Sequence, residues 1–177
     1  MLMFDFLVRN KIKKLCKDSP RVKKFKNMDE IRSILILFET IDYEDVDAYV
    51  MHLEKMSKSV KGYGYKVKND KYDYSETPYR IMEHKVDTNA SGVPGGTLLD
   101  ELSAERYDLL IDLSVKENVT LEYLVAASDI PLKVGLKKNK LPIYDILISK
   151  LPKNKNSSDC VELGRQILHY LSTIRSQ

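Results

Sequence analysis

The chain has 177 residues, 43% hydrophobic and 31% charged, with seven Gly, six Pro and two Cys. That mix excludes a collagen-like, disulfide-framework or wholly disordered protein and fits one ordinary folded domain, since a chain of about 150 residues buries roughly 70% of its unfolded surface. The net charge of +3 is unevenly spread: residues 1–27 carry nine Lys or Arg against two Asp, and the rest 20 basic against 24 acidic residues.

In the basic segment Phe4, Leu7, Val8, Ile12 and Leu15 recur at helical spacing, with Arg9, Lys11, Lys13, Lys14 and Lys17 around them. This predicts a basic amphipathic helix, ended by Asp18, Ser19 and Pro20. Residues 1–27 are therefore read as an N-terminal helix and linker, and residues 28–177 as a single α/β domain. Asp5 and Arg9 interrupt the apolar residues before a secretory core can form. The longest apolar run, about five residues from Ile34 to Phe38, is far below the ~20 that span a bilayer. A cytoplasmic protein is expected, with Cys16 and Cys160 as reduced thiols lacking metal-ligand spacing.

Further on, short apolar runs alternate with helical stretches. Ser33 to Phe38 reads as a buried strand, followed by a helix capped by Asp42 that turns Val46, Tyr49, Val50, Leu53 and Met56 inward. Tyr63 to Lys68 and Arg80 to Val86 read as strands flanking a tyrosine-rich surface loop, Asn69 to Pro78. A glycine-rich loop, Asn89 to Thr97, leads into a short helix. Then come a strand at Tyr107 to Leu113, a helix from about Glu117 to Ser128, and strands at Leu132 to Leu136 and Tyr144 to Ser149. A last helix starts near Ser157 or Ser158 and carries Leu163, Ile167, Leu171 and Ile174. Continuous apolar strands separated by helices predict an open, mostly parallel, Rossmann-like sheet with helices on both faces.

The segments YDLLIDL (Tyr107 to Leu113), SDIPLKVGL (Ser128 to Leu136), YDILIS (Tyr144 to Ser149) and ILHYLSTI (Ile167 to Ile174) resemble a family of small uncharacterised α/β proteins from Bacteroidota. That resemblance covers about the C-terminal half and implies a fold and a bacterial cytoplasmic setting, without a catalytic residue. Tyr107 to Leu136 alone also looks like the N-terminal Rossmann-like half of heptosyltransferase-type glycosyltransferases. Those enzymes need a second half to hold the donor, and Glu39-Thr40-Ile41-Asp42 lacks their glycine-containing loop. The second likeness implies kinship of fold.

In open parallel sheets ligands bind beyond the carboxyl ends of strands where the strand order reverses. That rule selects Glu39 and Asp42 after the first strand, Ser91, Gly92, Gly95 and Gly96 in the glycine-rich loop, and Asp112 and Ser114 after YDLLIDL. SGVPGGT (Ser91 to Thr97) is the best anion-binding candidate, since a loop entering a helix offers free N–H groups. It matches neither GxxxxGK[ST] nor GxGxxG, and turn-forming glycines are the plainer reading. Glu39, Asp42 and Asp112 form an acid and base pair or a Mg²⁺ site only if they converge; otherwise Asp42 caps a helix and Asp112 bonds loop N–H groups. His52, His84 and His169, expected on two helices and a strand, lack metal-ligand spacing, and Gly62 and Gly64 read as a strand bend. Neither a metal nor a cofactor is implied.

The basic helix has two readings. It either docks its apolar stripe on its own domain or a second copy, or it attaches to an anionic membrane or nucleic acid. Tyr63, Tyr65, Tyr72, Tyr74 and Tyr79 suit edge-strand packing or a protein interface. The sequence thus favours a non-catalytic cytoplasmic protein that acts by protein interaction or self-association, through this helix or the tyrosine-rich segment. The alternative is a small enzyme or ligand-binding protein with a phosphate- or nucleotide-type ligand at the strand ends.

Overall fold

A computed structural model describes residues 2–153 and 156–174, with side chains from Phe6 onward. Six strands form one parallel sheet: β1 (Ser33–Glu39), β2 (Ser59–Tyr65), β3 (Arg80–Met82), β4 (Leu109–Asp112), β5 (Leu132–Leu136) and β6 (Ile146–Ile148). Their order is β3-β2-β1-β4-β5-β6. The chain builds outward from β1 in one direction and then, from β4, in the other, which is the doubly wound Rossmann order with its switch point between β1 and β4.

Both faces of the central strands are covered, which is why their sequences are largely apolar runs. Ile34, Ile36 and Phe38 of β1, Leu109 and Ile111 of β4, and Leu132 and Val134 of β5 lie in one core, under α2 (Tyr43–Lys55) and α5 (Asp159–Thr173). Leu35, Leu37 and Leu110 point to the other, under α3 (Gly96–Ala104) and α4 (Val119–Ala127). Ile34, Ile36, Leu109, Ile111 and Val134 are wholly buried, as strand residues of one sheet were expected to be, while Ile146 on the outer strand is half-buried.

Several expected boundaries move. The second strand runs over Ser59–Tyr65, and the third stops at Met82, so His84 lies in a turn. Gly62 and Gly64 sit in β2 in unbroken register with β1 and make room for rings. A Cβ on Gly62 would stand 2.6 Å from the Tyr79 ring, and one on Gly64 2.7 Å from Phe38. Gly135 likewise lies under the ring of Tyr144, where a Cβ would come within 2.6 Å.

The basic N-terminal helix, α1 (Leu2–Asp18), lies against α4. Val8 and Ile12 are buried there, Leu15 is half-buried, and Lys11, Lys13, Lys14 and Lys17 stay exposed. Leu7, expected inward, is exposed instead, because the docked stripe is narrower than the sequence pattern. Phe4 lies outside the described side chains. Arg9 pairs with Glu117 and stands 3.7 Å from the buried Glu122. Beyond the helix, Arg21 holds Asp145 through two bonds of 2.6 and 2.9 Å, and Lys23 pairs with the same carboxylate at 3.0 Å.

Removing residues 1–27 therefore strips apolar cover from α4 and cations from the buried Glu122 and Asp145. Calorimetry of the truncated chain is expected to show a melting temperature lower by at least about 5 °C, the equivalent of roughly 2 kcal/mol in a domain of this size. An unchanged melting temperature would contradict the docking of α1.

Candidate functional site

The switch point brings the carboxyl ends of β1 and β4 together, and the protein's own side chains close the crevice there. Glu39, ending β1, accepts a hydrogen bond of 2.9 Å from the amide of Asn118. Asn118 also caps α4, accepting from the backbone N–H groups of Thr120 and Leu121. The Thr120 hydroxyl in turn donates to the Gly92 carbonyl at 2.8 Å, drawing the glycine-rich loop onto the helix.

Below this lid Asp112 is fully buried on the α4 side of the sheet. Its Oδ1 accepts from the Ser114 backbone N–H at 2.9 Å and from the Ser114 hydroxyl at 2.6 Å. Its Oδ2 accepts from Lys138 at 2.7 Å and from the Tyr144 hydroxyl. Every lone-pair direction of the carboxylate thus has a donor, and the charge is paired. Asp112 does bond a loop N–H, as its plainer reading held; Lys138 and Tyr144 complete the cluster. Burial and the nearby Asp112 charge hold the Tyr144 hydroxyl well above the usual phenol range, so it serves as a donor.

Four N–H groups of the glycine-rich loop are spent internally. Asn89 Oδ1 accepts from the backbone N–H groups of Ser91 and Val93, its carbonyl accepts from Gly92, and the Gly95 N–H goes to the Asp87 carbonyl. Pro94 has none to give. Gly92 has φ +78, a left-handed conformation in which a Cβ would also meet Val119 at 2.8 Å. Gly95 precedes α3 as its cap and Gly96 opens the helix, with nothing within 4 Å of where its Cβ would stand. Ser91 lines a separate groove against Lys11 and Lys14 of α1. The loop is a self-bonded turn held against α4.

Asp42 goes elsewhere. It precedes α2, but its side chain makes no capping bond, and Oδ2 is buried without a hydrogen-bond partner. A 3-10 turn, Thr40–Asp42, separates β1 from α2, and the cluster around Asp112 is built from Ser114, Lys138 and Tyr144. Glu39, Asp42 and Asp112 therefore have different partners, and among the described residues no cluster of His, Cys, Asp or Glu is arranged to hold a metal.

Asp42 lines an open groove of about 670 Å³ at the carboxyl ends of β1 and β2. Its wall is aromatic: Tyr43 stands 5.5 Å from Tyr74 and 6.3 Å from Tyr72, ring centroid to centroid, with Tyr72 and Tyr74 4.9 Å apart. The stack continues inward through Tyr79, 5.6 Å from Tyr43 and 5.5 Å from the buried Phe38. Asp70 fixes the loop, accepting from the hydroxyls of Thr40 at 2.6 Å and Tyr74 at 2.8 Å. The floor and rim are acidic, with Asp42, Glu44, Asp45 and Asp70 against Lys68 alone.

Burial, with the charges of Asp45 and Glu39, pushes the Asp42 carboxyl up to about 6. A carboxyl raised on folding favours the folded state while it is protonated and penalises it once ionised, so stability is lost as pH rises from about 4 through 6. Asp42→Asn is expected to raise the melting temperature at pH 7, with the gain vanishing below about pH 4. Equal melting temperatures at pH 7 would contradict the burial of this charge.

Sequence reasoning missed Asn118, Lys138 and Tyr144, which arrive from elements distant in the chain. It also missed Lys133, buried in β5, which donates to the Val125 and Ser128 carbonyls at the end of α4 at 2.6 and 2.7 Å. A lysine within the otherwise apolar run LKVGL was the available signal. A cavity of about 620 Å³ lies at the opposite, amino end of the sheet, between Tyr107 and Ile130. His52 and His169 line another groove at the ends of α2 and α5.

A family model described as a family of unknown function (DUF6913) matches residues 5–174, from within α1 through α5. The chain belongs to that family. No curated protein and no solved structure matches this DUF6913 member. Among its described residues no helix is long and apolar enough to cross a membrane.

Proposed function

We propose that the protein is a non-catalytic interaction module that binds another protein through the tyrosine-walled groove at the carboxyl ends of β1 and β2. One contrast carries this reading: the switch-point crevice is filled by the protein's own bonds, whereas the groove beside it is open, with Tyr72 63% and Ile41 70% exposed. Exposed tyrosine on a broad surface is the composition of protein interfaces.

A cytoplasmic setting and a Bacteroidota origin belong to the same reading, as does kinship of fold with the N-terminal half of heptosyltransferase-type glycosyltransferases. The phosphate- or nucleotide-binding alternative has less support, because the N–H groups of Ser91, Gly92, Val93 and Gly95 are already donated within the protein. Attachment of α1 to an anionic membrane or nucleic acid is also less favoured, since its apolar stripe is occupied by α4.

A thermal-shift screen against nucleotides, sugar nucleotides and phosphate tests the proposal. A ligand at 100 times its Kd stabilises the native state by about 2.7 kcal/mol, so any binder is visible. No stabilisation is expected; a nucleotide that raises the melting temperature would overturn the interaction reading.

A further inference from the structure

The groove's chemistry specifies its occupant. We propose that it receives an arginine-bearing segment of a partner protein, the guanidinium resting against the Tyr43 and Tyr72 rings and facing the carboxylates of Asp42 and Asp45. This deepens the interaction reading and rests on it.

Charge sets the sign. Four carboxylates and one lysine line the groove, and Asp42 feels Asp45, Glu39 and Asp159 against Lys116 alone. One oxygen of Asp42 has no hydrogen-bond donor among the described residues, and a cation entering the groove would offset the acidic charge around this carboxyl. Asp45 already accepts from the Ser158 hydroxyl at 2.5 Å, which fixes its carboxylate in place.

The aromatic wall sets the kind of cation. Lys66 Nζ lies 5.9 Å from the centre of the Tyr74 ring, so a cation already rests on one face of the stack. The outer ring, Tyr72, is 63% exposed and presents an unused face. A guanidinium is planar, stacks on aromatic rings and spreads five N–H donors in a fork that reaches two carboxylates at once, whereas an ammonium is a compact, strongly hydrated charge. Tyrosine beside carboxylates therefore favours arginine over lysine. Its apolar stem has Ile41, 70% exposed at the rim, to lie on.

Fluorescence anisotropy on the full chain tests this with three labelled twelve-residue peptides that share one glycine and serine background and carry arginine, lysine or glutamate at the same positions. The arginine peptide is expected to bind, more tightly than the lysine peptide and less tightly as salt rises, and the glutamate peptide not to bind. Combining Asp42→Asn with Asp45→Asn is expected to weaken binding at least roughly tenfold, and Tyr72→Ala about fivefold, in proteins whose melting temperatures show that they remain folded.

Equal binding of arginine and glutamate peptides, undiminished affinity in the variants, or no binding of the arginine peptide would each overturn the proposal. So would self-association that the double aspartate variant abolishes, because the occupant would then be the basic helix of a second copy. If the arginine peptide fails while nucleotides leave the melting temperature unchanged, the arginine assignment falls and the interaction reading stands. If a nucleotide stabilises the chain, that reading falls as well.

Discussion

Lys138→Ala is expected to destabilise the fold by about 3–5 kcal/mol, the usual cost of removing one partner from a buried ion pair. Asp112 is 0% exposed and the Lys138 side chain 3%, so the buried carboxylate is left without its cation. Lys138 also donates to the Ser114 hydroxyl at 2.7 Å, which loses a partner at the same time. Asp112→Asn combined with Lys138→Met removes both charges and is expected to recover most of the loss, because an amide still accepts from Ser114 while the buried charge is gone. Urea denaturation reads both variants through the midpoint. A single variant that loses less than about 1 kcal/mol, the size of an exposed pair, would show that the cluster is solvated.

Ile111→Asp is expected to cost about 4 kcal/mol or more, from an unpaired charge placed in the core. Ile111 is wholly buried in β4, in register with Ile36 of β1 and Val134 of β5. Its face is the apolar one beneath α2 and α5, where Leu163 and Ile167 close over the sheet. A native domain has only about 5–15 kcal/mol of stability, so a large fraction of the variant should be unfolded at 37 °C. Leu147→Asp, on the outermost strand and 47% exposed, is the control, expected to change the melting temperature little. Cooperative unfolding of Ile111→Asp at the unaltered temperature would contradict the placement of β4 at the centre of the sheet.

Those two positions also show what a sequence can and cannot disclose about this fold. β1, β4 and β5 are legible because a central parallel strand covered on both faces is mostly apolar, and a run such as ILILF has few other uses. β2 is less legible: SVKGYGY has two glycines and exposes Ser59 and Lys61, and its glycines make sense only once the Tyr79 and Phe38 rings are seen to fill the space over them.

The candidate site divides in the same way. Placing Glu39, Asp112 and Ser114 at strand ends needed only strand order. Their partners Asn118, Lys138 and Tyr144 lie in a helix cap and a loop, 79, 26 and 32 residues away from the carboxylates they bond, and no local periodicity announces such pairs. The tyrosine-rich segment was visible as composition. Its pairing with Asp42, Glu44 and Asp45 was not, because they come from the turn before α2 and the first turn of that helix. Asp42 had been expected to cap α2. It occupies the right position in the chain, but the 3-10 turn leading into the helix leaves its side chain without a capping bond.

The central claim is that the protein works through the groove at the ends of β1 and β2 and leaves the switch-point crevice closed. Amide-resolved NMR of the full chain, titrated in turn with a mixture of nucleotides and with the arginine peptide, tests it most directly. The peptide is expected to shift the resonances of Ile41, Tyr43, Asp45, Asp70 and Tyr72, and the nucleotides to shift none. Nucleotide-induced shifts at Gly92, Ser114 and Asn118, with the groove silent toward the peptide, would contradict it.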